Sequence, residues 1–170
     1  MSYQFYNANT IPIRPALADD AAEVARLSNE LGYGASESTM ALRLSHLVGQ
    51  PNCFVAVAQA DQGVLAGWIA AERRWILHTG ERVEISGLVV DSTYRRSGIG
   101  RSLVATVEQW AAECGIAAIL VRSRAERPES HQFYLSAGYV RSKTQHVYLK
   151  SVPVATPAAA RSSDRTAIPR

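Results

Sequence analysis

The sequence predicts a mixed α/β domain over residues 1–150, followed by a mobile tail over residues 151–170. Three observations carry that prediction. Short apolar runs of strand length alternate with segments whose apolar residues recur every three to four positions. Glycines stand where those periodic segments stop. Beyond Lys150 the composition shifts to Ala, Pro, Ser, Thr and Arg with no aromatic residue. At 170 residues, 47% apolar and 19% charged, the chain has the size and balance of one globular domain.

The elements follow in order. Ile11 and Ile13 alternate ahead of Pro15 as a short first strand. Asp19 is placed to cap a helix through Leu31, with Ala21, Val24 and Leu27 on its apolar face and Gly32 after its end. A second helix starts after Ser36 or Ser38 and packs Met40, Leu44, Leu47 and Val48. Cys53–Ala58 and Val64–Trp75 read as strands joined by the turn Asp61-Gln62-Gly63, and another strand runs from about Arg82 to Val90. Ile99, Leu103, Val107, Trp110, Ala111 and Cys114 share one face of the clearest amphipathic helix, which Gly115 stops. Ile116–Val121 has buried-strand length. Pro128 opens a helix ending near Ala137, with Gly138 as its cap, and Tyr139–Arg141 and Gln145–Leu149 read as closing strands.

Charge and composition exclude several function classes. The formal charge is +3, but Arg161, Arg165 and Arg170 against Asp164 give the tail +2, leaving +1 for residues 1–150. A general nucleic-acid binder needs a clear basic excess on its folded part, so none is expected to be a partner. No apolar run reaches the length of about 18 to 20 residues that spans a bilayer, and Met1–Phe5 lacks the pattern of a signal peptide. Cys53 and Cys114 make no disulfide framework or zinc site by themselves and are expected to be buried small hydrophobes. A cytoplasmic setting without a metal is the expectation.

The chemistry concentrates between Glu84 and Arg101. A strand ends, a short loop turns, and Arg95-x-x-Gly98-x-Gly100 opens the long helix. The two glycines remove side chains, and the first N–H groups of the helix have no internal partners, which suits a phosphate or pyrophosphate. The glycine spacing is not that of a dinucleotide fingerprint, and the lysine of a nucleoside-triphosphate loop is missing. Taken alone, the pattern fits a ligand-free strand-to-helix turn as well as it fits an anion site.

The surroundings of the loop resemble the GNAT superfamily of acetyl-coenzyme A-dependent N-acetyltransferases. Leu88-Val89-Val90 matches that family's bulged strand, Arg95–Gly100 its [QR]-x-x-G-x-[GA] loop, and Phe133-Tyr134-x-x-x-Gly138-Tyr139 its F-Y-x-x-x-G-[FY] segment. Arg127 stands where many members have an asparagine. The resemblance implies a mostly antiparallel twisted sheet of about six or seven strands, a bulged and splayed central strand pair, and about four flanking helices. It also implies acetyl-coenzyme A as acetyl donor. Backbone groups at Leu88, Val89 and Val90 would hold the pantetheine arm, and Arg95, Arg96, Ser97, Gly98, Ile99, Gly100, Arg101 and Ser102 the pyrophosphate.

Two catalytic residues come with the resemblance. Glu84 matches the general base of the histone acetyltransferase branch, acting directly or through water, and lies six residues before Val90, so simple alternation puts both on one face. The competing reading of Glu84 is a solvent-facing glutamate paired with an arginine such as Arg82. Tyr134 matches the family's proton donor to the leaving thiolate, and its competing reading is a packing aromatic. Trp68, Trp75 and Tyr33 are candidates for lining an acceptor pocket, whereas His78 and His131 form no metal cluster and the cysteines lack a nucleophile signature. The leading expectation is an enzyme acetylating a small-molecule amine, with a homodimer compatible. Its alternatives are a protein N-terminal or lysine acetyltransferase and a non-catalytic acyl-coenzyme A-binding regulator. Only Glu37 carries charge between Gly32 and Thr39, which argues against an aminoglycoside or polyamine acceptor.

Overall fold

The computed structural model describes residues 11–30, 32 and 34–153. Leu31, Tyr33 and most of the predicted tail lie outside the described residues. One sheet holds β1 (Ile13–Pro15), β2 (Cys53–Gln59), β3 (Leu65–Ile76), β4 (Gly80–Val90) and β5 (Ile119–Val121), in that spatial order. The first four strands are antiparallel neighbours, and β5 runs parallel to β4. A parallel pair needs a crossover, which α3 (Ile99–Glu113) supplies. Helices α1 (Ala21–Glu30) and α2 (Glu37–Leu47) lie between β1 and β2 in the chain, and α4 (Pro128–Ser136) follows β5.

The helices bury apolar stripes on the sheet. On one face, Leu103, Val107 and Ala111 of α3 join a core with Ile69, Ala71, Val83 and Ile85. The other face packs Leu27 of α1 and Met40 and Leu44 of α2 with Val57, Leu65 and Val89. Local signals set the helix ends. Ser36 accepts from the Thr39 N–H at 3.2 Å to start α2, while Gly115, at φ 72°, ends α3 with Ile116 N–H donating to Ala111 O. Ahead of α1, it is Asp20 rather than the expected Asp19 that ties down the entry. Its carboxylate accepts from Leu17 N–H and from both terminal nitrogens of Arg14.

Three further expectations need correction. The sheet and helices belong to a compact unit ending at Tyr139, while residues 140–153 take no regular secondary structure. The closing strands expected at Tyr139–Arg141 and Gln145–Leu149 are therefore missing, and five strands stand among the described residues where six or seven were expected. Alternation makes a strand only where a neighbour completes its ladder, and Val147, Tyr148 and Leu149 stay exposed instead. Cys53 and Cys114 are half-buried, because each sits at an element's end where water reaches it.

The third correction concerns β4. Gly87 pairs with Ala70 but Ile85 with Ala71, so Ser86 is one residue too many, and its hydroxyl donates to Ala70 O at 3.2 Å. Such a bulge reverses the parity of everything beyond it. Glu84 shares its face with Gly87 and Val89, and Val90 lies on the opposite face.

Candidate active site

The bulge and the short reach of β5 together create an opening. Pairing between β4 and β5 covers only Val83–Ile85, so the edge of β4 beyond the bulge has no neighbouring strand there. Asp91 N–H donates to Ala66 O on β3, and the Val89 carbonyl lies against Gly67 of the same strand. Backbone groups alternate sides along a strand, so those of Leu88 and Val90 face the open edge. The Val90 carbonyl there accepts from Arg95 Nε at 3.3 Å. Val89 turns its backbone toward β3 and its side chain into the core, which leaves it nothing to offer an extended ligand.

At the end of this edge the chain makes a short helical turn and enters α3. Asp91 accepts from the Thr93 N–H and hydroxyl at 2.8 and 2.6 Å and from Arg26 at 2.7 Å. The Thr93 bonds above all, with Arg26, hold the Asp91 carboxyl down at about 2 against the opposing effect of its burial. Gly98 caps α3 at φ 89°, a left-handed conformation that suits glycine, and Arg96 also has positive φ at 62°. Ser102 N–H, bonded to Gly98 O, is the first helical bond; the N–H groups from Arg96 to Arg101 take no partner among the described residues. Gly100 is small for a packing reason, since a Cβ there would come within 3.3 Å of the Phe133 ring. Arg101 is tied to Ser136 O at 3.0 Å, and Ile99 is buried, so both serve this turn through their backbone N–H groups.

A cavity of about 510 Å³ lies alongside the open edge, large enough for a small molecule. Ile85, Ser86, Gly87 and Leu88 form one wall and Val121, Arg122 and Ser123 another. Tyr134 of α4 lines it, with its hydroxyl free of hydrogen-bond partners among the described residues. Burial pushes that hydroxyl up to about 12, so it carries its proton throughout the neutral range. Arg127, at the family's asparagine position, lines the cavity too.

Glu84 is placed differently from the expectation. It is 6% exposed, is not among the residues lining the cavity, and has both carboxylate oxygens occupied. Arg122 donates to Oε1, while Arg74 and Arg82 approach Oε2 at 3.2 and 3.4 Å. Glu84 is therefore engaged by three guanidiniums and lies on the face away from Val90. Among the candidate aromatics, Trp68 lines the cavity, Trp75 is 75% exposed away from it, and Tyr33 is outside the described residues. His78 sits exposed in the β3–β4 turn.

Sequence reasoning missed Arg43, Arg122 and Arg124, which line the same cavity. The available signal was Arg122-Ser123-Arg124, a charged run directly after the apolar run Ile116–Val121.

A model of the acetyltransferase (GNAT) family matches residues 20–139. The aminoalkylphosphonate N-acetyltransferase of Salmonella typhimurium is 32% identical over 117 residues, covering 68% of this chain and 73% of that protein. Among solved structures, the aminoglycoside antibiotic 6'-N-acetyltransferase AAC(6')-Ih from Acinetobacter baumannii superposes with a TM-score of 0.72 at 20% identity, over 83% of this chain and 98% of that one. The aminoglycoside N-acetyltransferase AAC(6')-Iy in complex with CoA gives a TM-score of 0.74 at 20% identity, over 82% and 94%. At that identity the two structures speak for the fold alone.

Proposed function

This chain belongs to the acetyltransferase (GNAT) family and is an acyltransferase, and we propose that it moves the acetyl group of acetyl-coenzyme A directly to a primary amine of a small molecule. One observation carries this reading: the open edge at Leu88 and Val90 connects the unpartnered N–H groups of α3 to the cavity that Tyr134 lines. The relative from Salmonella typhimurium, named for an aminoalkylphosphonate, supports a small amine as acceptor.

The residues present fit the donor. An extended arm can add to the free edge of β4 as a further strand, through Leu88 and Val90. The N–H groups from Arg96 to Arg101 supply partners for a pyrophosphate, aided by the positive end of α3. Acetyl-coenzyme A supplies the activated acetyl group and a thiolate leaving group. The Val90 N–H donates to the acetyl carbonyl, where negative charge grows during transfer. The amine nitrogen bonds to the acetyl carbon and gives its surplus proton to water, and the carbon–sulfur bond then breaks as Tyr134 gives its proton to the departing sulfur and regains one from water. The acceptor ammonium loses its proton to water in the cavity before attack, while Glu84 holds Arg122 in place.

The test is a thiol-release assay with acetyl-coenzyme A across small amines and peptides, run beside calorimetric binding of the donor. Thiol release with small amines is the expected result. Donor binding without release from any amine would replace this reading with that of an acyl-coenzyme A-binding regulator.

A further inference from the structure

The cavity is charged in one sense only. Arg43, Arg122, Arg124 and Arg127 line it, and no aspartate or glutamate does. These arginines come from α2 and from the segment joining β5 to α4, whereas Arg95, Arg96 and Arg101 of the phosphate-binding turn do not line it. The molecule therefore has two separate sets of guanidiniums. The backbone N–H groups proposed for the pyrophosphate, from Arg96 to Arg101, belong to residues that do not line this cavity.

Within the second set, Arg122 is held in one orientation. A single terminal nitrogen binds Glu84, which is buried and also engaged by Arg74 and Arg82. Three guanidiniums against Glu84 and its cross-strand neighbour Glu72 leave this cluster with an excess positive charge beside the cavity. The fork of Arg122 keeps its other N–H donors for a ligand. Arg43 makes no hydrogen bond or ion pair among the described residues. Trp68, another lining residue, has a buried indole N–H without a hydrogen-bond partner among the described residues.

We propose that the acceptor is a small zwitterionic amine whose anionic group, a carboxylate or phosphonate, is bound by Arg43 and Arg122 while its amine faces Tyr134 and the open edge. This inference rests on the acetyltransferase reading and adds to it the charge of the substrate and the residues that select it. Guanidiniums around a cavity with apolar walls focus a positive field, which attracts an anion and repels a polycation. Like charge juxtaposed in this way acts against polyamines and aminoglycosides even where the fold is shared.

The experiment uses four amines of similar reach whose far end differs in charge: aminoethylphosphonate, β-alanine, ethanolamine and diaminopropane. Thiol release gives kcat/KM for each, and calorimetry in the presence of coenzyme A gives the binding of each without turnover. The expected order is phosphonate, carboxylate, neutral, cation, with the anions ahead of ethanolamine by about tenfold or more, as a charge-assisted contact provides. Arg43→Met and Arg122→Met should each lower the ratio of the anionic amines to ethanolamine by about tenfold, acting through KM. Arg43 is exposed and unpaired, so its variant carries the test if Arg122→Met fails to fold. Equal use of ethanolamine or diaminopropane would overturn this inference and leave the acetyltransferase reading standing. So would arginine variants that weaken acetyl-coenzyme A binding instead. If no amine is acetylated, the transferase reading falls, and calorimetric preference for the anions still decides whether the arginines bind them.

Discussion

The six-membered ring of Trp68 lies against the α-carbon of Gly87 so closely that a Cβ added there would fall 2.6 Å from two of its carbons. The two residues are on adjacent strands beside the extra residue Ser86, and both line the cavity. The glycine is thus required by packing: it lets an edge of the indole come down onto β4 and form part of the cavity wall.

Gly87→Ala should therefore force Trp68 out of its position. Overpacking of this kind costs about 1–3 kcal/mol, to be read from urea denaturation. The expected companion effect is a higher KM for the acceptor, because the displaced indole enters the cavity. An unchanged midpoint and unchanged KM would show that the ring moves aside freely.

Gly98 tests the proposed pyrophosphate-binding turn at the start of α3. Its φ of 89° strains any other residue, although open space surrounds the position. Gly98→Ala should cost about 1–2 kcal/mol of stability or relax the turn and rotate the N–H groups away. Calorimetry should then show weaker acetyl-coenzyme A binding in the folded variant. A bulky replacement, Gly98→Trp, should weaken it further by obstructing the approach.

Tyr134→Phe tests the proposed proton donor to the leaving sulfur. The rate should fall by about a hundredfold or more with donor affinity unchanged, and the defect should shrink for acyl donors with a more acidic thiol. Because the hydroxyl is pushed up to about 12, its deprotonation should not limit the wild-type rate from about pH 7 to 10. Over that interval the rate should climb as the acceptor amine loses its proton. A fall in rate below pH 9 would assign the proton to another group.

Asp91 links acid stability to the entry of α3. Its carboxyl lies at about 2 in the fold, below the ordinary carboxylate value near 3.8, so the folded state favours the charged form. That contribution is complete above about pH 4 and is lost as pH falls from about 4 to 2. Urea midpoints should drop across this window in the wild type and change less in Asp91→Asn.

The sequence displayed most of what is local. Ser36, Gly98, Gly115 and Pro128 mark helix ends by their own conformational chemistry, and α3 shows its buried face through periodicity alone. The orientation of Glu84 was hidden, because strand alternation assumes an unbroken ladder, and the Ser86 bulge is defined only by pairing with β3. Non-local convergence was hidden for the same reason. Arg43 and Arg122 are far apart in the chain, and only the packing of α2 beside the β4–β5 opening brings both to one cavity. The alternation around Val147 and Leu149 was visible but insufficient, since a strand needs a partner.

The most direct test follows both products of one reaction. Acetyl-coenzyme A and a small primary amine, aminoethylphosphonate first, are mixed with the protein, thiol is measured continuously, and the amine is analysed by mass spectrometry. One thiol released for each amine that gains one acetyl group, with the rate dependent on Tyr134, is the predicted result. Binding of acetyl-coenzyme A without acetylation of any small amine, or acetylation confined to peptide N-termini or lysines, would contradict it.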